Sequence, residues 1–155
     1  MSEATEFDWP SPFEVGETFT RDFHFDVASI KAFATLALDD NPLHHDEDFA
    51  RNTRFGGLIA SGTHTISWAT GCLAGFVSSR CASLGLQFDY TLRRAILADE
   101  HARVVWRIES VTRKDSLRGY VLGLDGRLIN SAGEDALIIK GKSLILPKSA
   151  LDKPA

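Results

Sequence analysis

Hydrophobic residues change their spacing along the chain, and the changes mark the predicted elements. From Glu17 to Phe25 they alternate with polar residues, which predicts a β-strand. Asp26 then suits a helix N-cap, because its carboxylate can accept the free N–H groups of the next turn. Between Val27 and Leu38 apolar residues recur three and four apart, which predicts an amphipathic helix. We expect Pro42 to stop this helix, because the residue before a proline is pushed out of helical geometry.

The middle of the chain predicts two more helices and a loop. Asp46 to Asn52 is expected to form a short helix capped by Asp46, and a glycine-rich apolar loop follows over 54–62. Residues 63–79 contain no charged side chain, and small residues fill most positions between the large apolar ones. This pattern predicts a helix that is buried on several sides.

The remainder of the chain predicts strands. Alternating apolar residues mark four of them, at 84–94, 101–113, 117–126 and 135–146. Consecutive strands joined by short turns are expected to pair antiparallel. The fold class is therefore α+β, with one sheet and one long helix. A single sheet around one helix leaves an open edge, which predicts a two-fold dimer or a larger assembly of dimers.

Composition narrows the function without naming it. A chain of 155 residues, 44% hydrophobic and 25% charged, is expected to form one domain over 1–155. The net charge of −4 and the dispersed basic residues argue against nucleic acid as a partner. No apolar run is long enough for a membrane span, and the acidic N-terminus lacks a signal core, so we expect a cytoplasmic protein. Cys72 and Cys81 are interpreted as small buried hydrophobes.

The chemistry is concentrated in residues 37–46, ALDDNPLHHD, where the predicted helix ends. Asp39 and His44 are five residues apart across a proline-fixed turn, so both can face one pocket and hold a water molecule between them. The alternative is a surface acid at a helix end followed by an ordinary turn. A metal site is disfavoured, because adjacent histidines diverge and no third ligand follows at a familiar spacing.

The run Asp39-Asp40-Asn41-Pro42-Leu43-His44 resembles the D-x-N-P-x-H signature of the MaoC-like (R)-specific enoyl-CoA hydratases. The loop over 54–62 resembles the family's entry into its central helix, and the resemblance covers roughly 13–146. It implies a hot-dog fold, in which an antiparallel sheet wraps around a long central helix. The implied reaction is the reversible hydration of a trans-2-enoyl-CoA to a (R)-3-hydroxyacyl-CoA, with no metal or redox cofactor.

The resemblance also assigns residues. Asp39 and His44 correspond to the catalytic pair, and Asn41 to the amide of the signature. Gly62 matches the glycine that begins the central helix, and Ser67 stands where some members have an active-site serine. These assignments imply that Asn41, Gly62 and Ser67 contact substrate.

Three positions depart from the family pattern. Leu38 replaces the usual glycine before the catalytic aspartate, and Ser61 replaces a common histidine before the helix glycine. The strand region 88–100 lacks the proline that many members have near its end.

Hydration also needs a donor for the thioester oxygen as enolate charge develops. The first N–H groups of a helix lack intrahelical partners, so the amides of Gly62 and Thr63 are the candidates for this donor. Two alternatives stay open. An acyl-CoA thioesterase would want an acid or polar group on the central helix, where the sequence offers no acid. A non-catalytic acyl-CoA-binding subunit is favoured only by the substitutions at Leu38 and Ser61.

Overall fold

The computed structural model describes residues 7–152, in which five strands form one antiparallel sheet. The strands are β1 (Thr18–Phe25), β2 (Ala82–Leu92), β3 (Glu100–Lys114), β4 (Gly119–Ile129) and β5 (Asp135–Leu146). The helices are α1 (Val27–Leu36), α2 (Glu47–Arg51) and α3 (Gly62–Ser78), with 3₁₀ turns at Pro42–His44, Asp115–Leu117 and Lys148–Leu151. The order β1-β3-β4-β5-β2 places β1 and β2 at the two edges.

The pairing of consecutive strands holds for β3, β4 and β5 but not for β2 and β3. β2 pairs with β5 at the far edge of the sheet, and residues 93–99 carry the chain back across it to β3. These connecting residues are held elsewhere: Leu97 forms a bridge with Ile59, and the Arg93 N–H donates to the Ala136 carbonyl at 2.8 Å. The connection therefore does not form a hairpin.

β4 extends to Ile129, which is three residues past the end of the strand predicted at 117–126. Gly126 lies opposite Trp106 on β3, and a Cβ at Gly126 would stand 2.6 Å from the indole ring. Glycine is needed here for close packing, so it does not mark a turn. The turn itself is confined to Asn130–Glu134, where the Asn130 N–H donates to the Glu134 carbonyl at 2.9 Å.

Helix α3 packs one face on the sheet. Its buried side chains are His64, Thr65, Ala69, Leu73 and Val77. The indole Nε1–H of Trp106 donates to the Ala69 carbonyl at 2.9 Å, which ties the helix to the centre of the sheet. The prediction of burial on several sides is wrong for the single chain, because one sheet covers only one face. The exposed face is formed by small residues, among them Ser67, Gly71 and Ala74.

Both cysteines contribute to packing. Cys81 is buried in the core and Cys72 is half-buried beside it. Burial raises the pKa of both thiols, so they are protonated near neutral pH. Within residues 7–152, the helices are too short or too polar to cross a membrane.

Candidate functional site

Asp39 is positioned by the way α1 ends. The Leu38 N–H donates to the Thr35 carbonyl at 3.1 Å, and the Asp39 N–H donates to the Ala34 carbonyl at 2.9 Å. These two bonds are those of a Schellman motif, with Leu38 in the left-handed conformation at φ 59°. The motif fixes the backbone of Asp39 directly after the helix.

The prediction that Pro42 ends α1 is wrong, because the Schellman motif ends the helix earlier. Pro42 instead begins the 3₁₀ turn that contains His44. The Asn41 side chain caps this turn by accepting the Leu43 N–H at 3.1 Å. The Asn41 N–H donates to Asp39 Oδ1 at 3.2 Å. The described contacts of Asn41 thus hold the loop, and its contact with substrate stays a prediction.

The structure brings Asp39 and His44 together. His44 Nε2 lies 3.4 Å from Asp39 Oδ2, with the imidazole buried and the carboxylate about one-third exposed. The other ring nitrogen, Nδ1, lies 2.8 Å from the Ile59 carbonyl oxygen. A carbonyl oxygen only accepts hydrogen bonds, so Nδ1 has the hydrogen and Nε2 of the neutral ring has a lone pair. A proton or a water molecule is then needed between Nε2 and the carboxylate.

His45 supports the same loop. Its Nε2 donates to the backbone carbonyl of Asp39 at 2.6 Å, and its ring is half-buried. The fold thus uses His45 as an anchor for the backbone of Asp39. Together with the Schellman motif, this contact restrains the aspartate from two sides.

The beginning of α3 lies beside His44. Ser61 is the N-cap and accepts the His64 N–H at 3.2 Å through its side chain. The substitution of serine at this position is therefore explained by helix capping. Within residues 7–152, the N–H groups of Gly62 and Thr63 have no acceptor, as expected for the first turn of a helix.

One open cavity of about 270 Å³ is lined by both His44 and the first residue of α3, Gly62. Its lining residues are His44, Arg54, Phe55, Ile59, Ala60, Gly62, Thr65, Leu92, Arg93, Arg94, Ala95 and Ile96. His44 and Gly62 thus face the same space, with an apolar wall and three arginines around them. The site combines a carboxylate beside an imidazole, free N–H groups and room for a small organic group, which together could support proton transfer.

Two residues predicted to contact substrate lie elsewhere. Thr63 is exposed and its side chain contacts Ser61 Oγ at 3.2 Å, outside the cavity lining. Ser67 is exposed and lines a shallow depression with Trp68 and Cys72, which shares no residue with the cavity at His44. The single chain does not bring Ser67 to Asp39 and His44, so its role stays a prediction.

His64 is fully buried in an aromatic cluster next to this site. Its ring stacks on Phe33 with centroids 4.5 Å apart and meets Trp68 edge-on at 4.5 Å, with Phe25 at 5.2 Å. Both ring nitrogens are without a hydrogen-bond partner in the described residues. Burial lowers the pKa of His64 to about 4, although the charge of Asp26 opposes this shift.

Sequence reasoning missed several cavity residues. The Ile59 carbonyl is a backbone group and leaves no signal in the sequence. Arg54, Arg93 and Arg94 belong to the dispersed basic residues, to which the sequence alone assigns no role at the site. Arg54 reaches the same cavity as Arg93 and Arg94 because the bridge between Ile59 and Leu97 joins two segments that are far apart in the chain.

Leu38 gives a direct test of the Schellman motif. A left-handed residue other than glycine is strained, and Leu38 is 86% exposed, so little packing is lost by shortening it. We expect Leu38→Gly to be more stable than Leu38→Ala by about 1 kcal/mol, because only glycine relieves the strain. Urea unfolding of both variants measures this difference. Equal stability would show that the backbone at this position is unstrained.

Comparison with known proteins identifies the family and the fold of the chain. The MaoC-like domain model matches residues 11–88, just over half of the chain. The (R)-hydratase from A. caviae involved in PHA biosynthesis is 25% identical, with a TM-score of 0.79 over 89% of this chain and 100% of that one. A MaoC-like dehydratase from Rhodospirillum rubrum is also 25% identical, with a TM-score of 0.73 over 92% of this chain and 96% of that one.

A third solved structure supports the architecture alone. An R-hydratase from Pseudomonas aeruginosa is 18% identical, with a TM-score of 0.79 over 87% of this chain and 83% of that one. No curated protein sequence matches the chain. The hot-dog fold implied by the sequence is confirmed by the likeness to these structures, with the sheet packed against α3. The chain belongs to the MaoC-like hydratase and dehydratase family.

Proposed function

We propose that this protein, as a single domain, catalyses the reversible hydration of a trans-2-enoyl-CoA to a (R)-3-hydroxyacyl-CoA. One observation supports the proposal: His44 Nε2 and Asp39 Oδ2 lie 3.4 Å apart, and His44 lies beside the beginning of α3. A water molecule held by both groups has an acceptor on each side for its protons.

The protons balance within this pair. In the hydration direction, water loses a proton to the pair as its oxygen bonds to the β-carbon of the enoyl group. A proton then passes from the pair to the α-carbon, so the side chains return to their starting state. The Ile59 carbonyl holds His44 by Nδ1, which leaves Nε2 as the atom that exchanges the proton.

The thioester oxygen gains charge while the carbon–oxygen bond forms. Gly62 lines the cavity, and its free N–H group is the candidate donor to this oxygen. A Cβ at Gly62 would stand 2.6 Å from Leu92 Cδ1, so a larger residue would displace the Leu92 side chain at the cavity wall. The family neighbours named as hydratases and a dehydratase agree with this class of reaction.

An assay with crotonyl-CoA tests the proposal and separates the alternatives. Loss of the enoyl absorbance without release of free thiol is the expected result. Thiol release would instead indicate a thioesterase, a reaction for which α3 offers no acid among its residues. Binding of acyl-CoA without either change would indicate a non-catalytic subunit. Either of these two results would refute the hydration.

We further propose that the protein is a two-fold dimer joined at the β2 edges. β2 pairs on one side only, and its exposed apolar residues include Leu84 at 54%, Leu86 at 53% and Leu92 at 55% exposure. An apolar edge strand of this length is a template for pairing with another chain. The exposed small residues of α3 would allow a second helix to approach closely.

Substitution on β2 tests the dimer. We expect Leu86→Glu to lower the mass measured by sedimentation equilibrium from that of a dimer to that of a monomer, because it places a charge in an apolar contact. Leu117→Glu is the matched control, since Leu117 is 48% exposed and lies far along the chain from β2. A dimer that survives Leu86→Glu would argue against this edge as the interface.

A further inference from the structure

We propose that the cavity at His44 is built for a thioester whose acyl chain has a negatively charged end, a carboxylate, and that Arg54 and Arg93 bind this end. The inference rests on the proposed hydration and names its substrate class. The positive groups are arranged around the same space as the reacting pair, which an uncharged acyl chain would not require.

The charges of the cavity are unbalanced. It is lined by three arginines, of which Arg94 is paired with Glu134, with Nη2 and Oε1 3.0 Å apart. Within residues 7–152, Arg54 and Arg93 form no ion pair with a carboxylate. The acid of the reacting pair, Asp39, lies against His44. Two guanidinium groups are therefore available to an incoming anion.

Both arginines are held in place by other contacts. The Arg54 guanidinium carbon lies 5.0 Å from the centre of the Phe55 ring, a cation–π geometry that restrains the side chain. Arg93 is fixed at its backbone, where its N–H donates to the Ala136 carbonyl at 2.8 Å. The restrained guanidinium of Arg54 loses less freedom on binding, and the guanidinium of either arginine offers paired N–H groups that match a carboxylate.

Two parts of a CoA thioester are anionic: the phosphates of the carrier and a carboxylate on the acyl chain. The cavity volume of about 270 Å³ corresponds to a sphere roughly 8 Å across. The pantetheine arm has about thirteen bonds between sulfur and phosphorus, so it extends to roughly 16 Å. A carboxylate a few bonds beyond the double bond fits the cavity dimension better than the carrier phosphate does.

The apolar wall is consistent with this arrangement. Ile59, Leu92 and Ile96 line the same cavity as His44 and the arginines. A short hydrocarbon segment between the reacting carbons and the carboxylate would contact these side chains. An acyl chain ending in a methyl group would leave the two guanidinium groups without an anion.

A matched pair of substrates tests the proposal. Glutaconyl-CoA and trans-2-pentenoyl-CoA have the same five-carbon acyl chain and differ by a carboxylate in place of the terminal methyl group. We expect kcat/KM to be roughly tenfold higher for glutaconyl-CoA, mostly through KM, as for one charge-assisted pair at a partly exposed site. Arg93→Gln and Arg54→Gln should each reduce this ratio towards one. Arg51→Gln, on the exposed surface of α2, should leave the ratio unchanged.

Pantetheine thioesters without phosphate separate the two anion sources. If the carboxylate preference and its loss in Arg93→Gln persist on these substrates, the arginines recognise the acyl chain. If Arg93→Gln weakens both CoA substrates equally and neither pantetheine substrate, the arginines bind the carrier phosphate and the proposal is overturned. Equal kcat/KM for the matched pair in the unmodified protein would overturn it as well.

Saturated thioesters keep the test independent of the hydration. Binding of glutaryl-CoA and pentanoyl-CoA can be measured by calorimetry even if no enoyl-CoA is hydrated. Tighter binding of glutaryl-CoA that is lost in Arg93→Gln would support the carboxylate site while the proposed reaction fails. Equal binding of the two ligands would refute the carboxylate site whether or not the protein is a hydratase.

Discussion

Asp39→Asn is expected to lower kcat for crotonyl-CoA hydration by between about a hundredfold and ten-thousandfold, the usual contribution of a general acid–base group. The amide retains an oxygen at the position that accepts the Asn41 N–H, so the loop should keep its shape. It cannot take a proton, so the water between residue 39 and His44 loses one of its two acceptors. Steady-state kinetics with crotonyl-CoA measures the effect.

The neighbouring acid provides a matched control for this variant. Asp40 is exposed and belongs to the same loop, and within residues 7–152 it has no ion-pair contact with His44 of the kind that Asp39 makes. We expect Asp40→Asn to change kcat by less than about twofold, because an exposed charge is screened by solvent. If Asp39→Asn retained the full rate and an unchanged circular dichroism spectrum, Asp39 would not be a catalytic residue.

His64 is expected to make the fold sensitive to acid. Its pKa is lowered to about 4 in the folded state, whereas an unfolded histidine has a pKa of about 6.5. Above pH 6.5 neither state binds the proton. As the pH falls from 6.5 to 4 the unfolded state alone binds it, so the free energy of unfolding falls by about 3 kcal/mol. Below pH 4 both states are protonated and this contribution stays constant.

The variant His64→Phe isolates this contribution. Phenylalanine keeps a ring against Phe33 and removes the two unpaired nitrogens and the titration. We expect the difference in unfolding free energy between His64→Phe and the unmodified protein to grow by about 3 kcal/mol between pH 7 and pH 4. Urea unfolding at a series of pH values measures it, and the comparison cancels the titration of the carboxylates.

An exposed histidine serves as the control for the acid effect. His101 lies on the surface and stacks on His24 with centroids 4.5 Å apart. The same urea series on His101→Gln measures what the removal of a surface histidine changes by itself. An unfolding free energy for His64→Phe that parallels the unmodified protein at every pH would mean that His64 is solvated or paired in solution.

Element types could be predicted from the sequence because they depend on neighbours along the chain. The alternating pattern gave β1, β2, β3 and β5 nearly to their ends, and the caps Asp26 and Asp46 were identified from their local chemistry. The end of α1 was missed because Leu38 occupies the left-handed position that ends the helix. Glycine is usual at such a position, and a leucine there gives no sign of a helix end. The extent of β4 was missed because Gly126 is explained only by Trp106, a residue on another strand.

The sequence alone determined the chemistry of the pair, because Asp39 and His44 are separated by a short turn with a fixed proline. Only the tertiary structure decided how that pair is used. The Ile59 carbonyl selects which nitrogen of His44 faces the carboxylate, and the bridge to Leu97 brings Arg93 to the same cavity. These contacts join segments that are far apart along the chain, and no local sequence pattern indicates that the segments meet. The contacts form only when the sheet and α3 pack together.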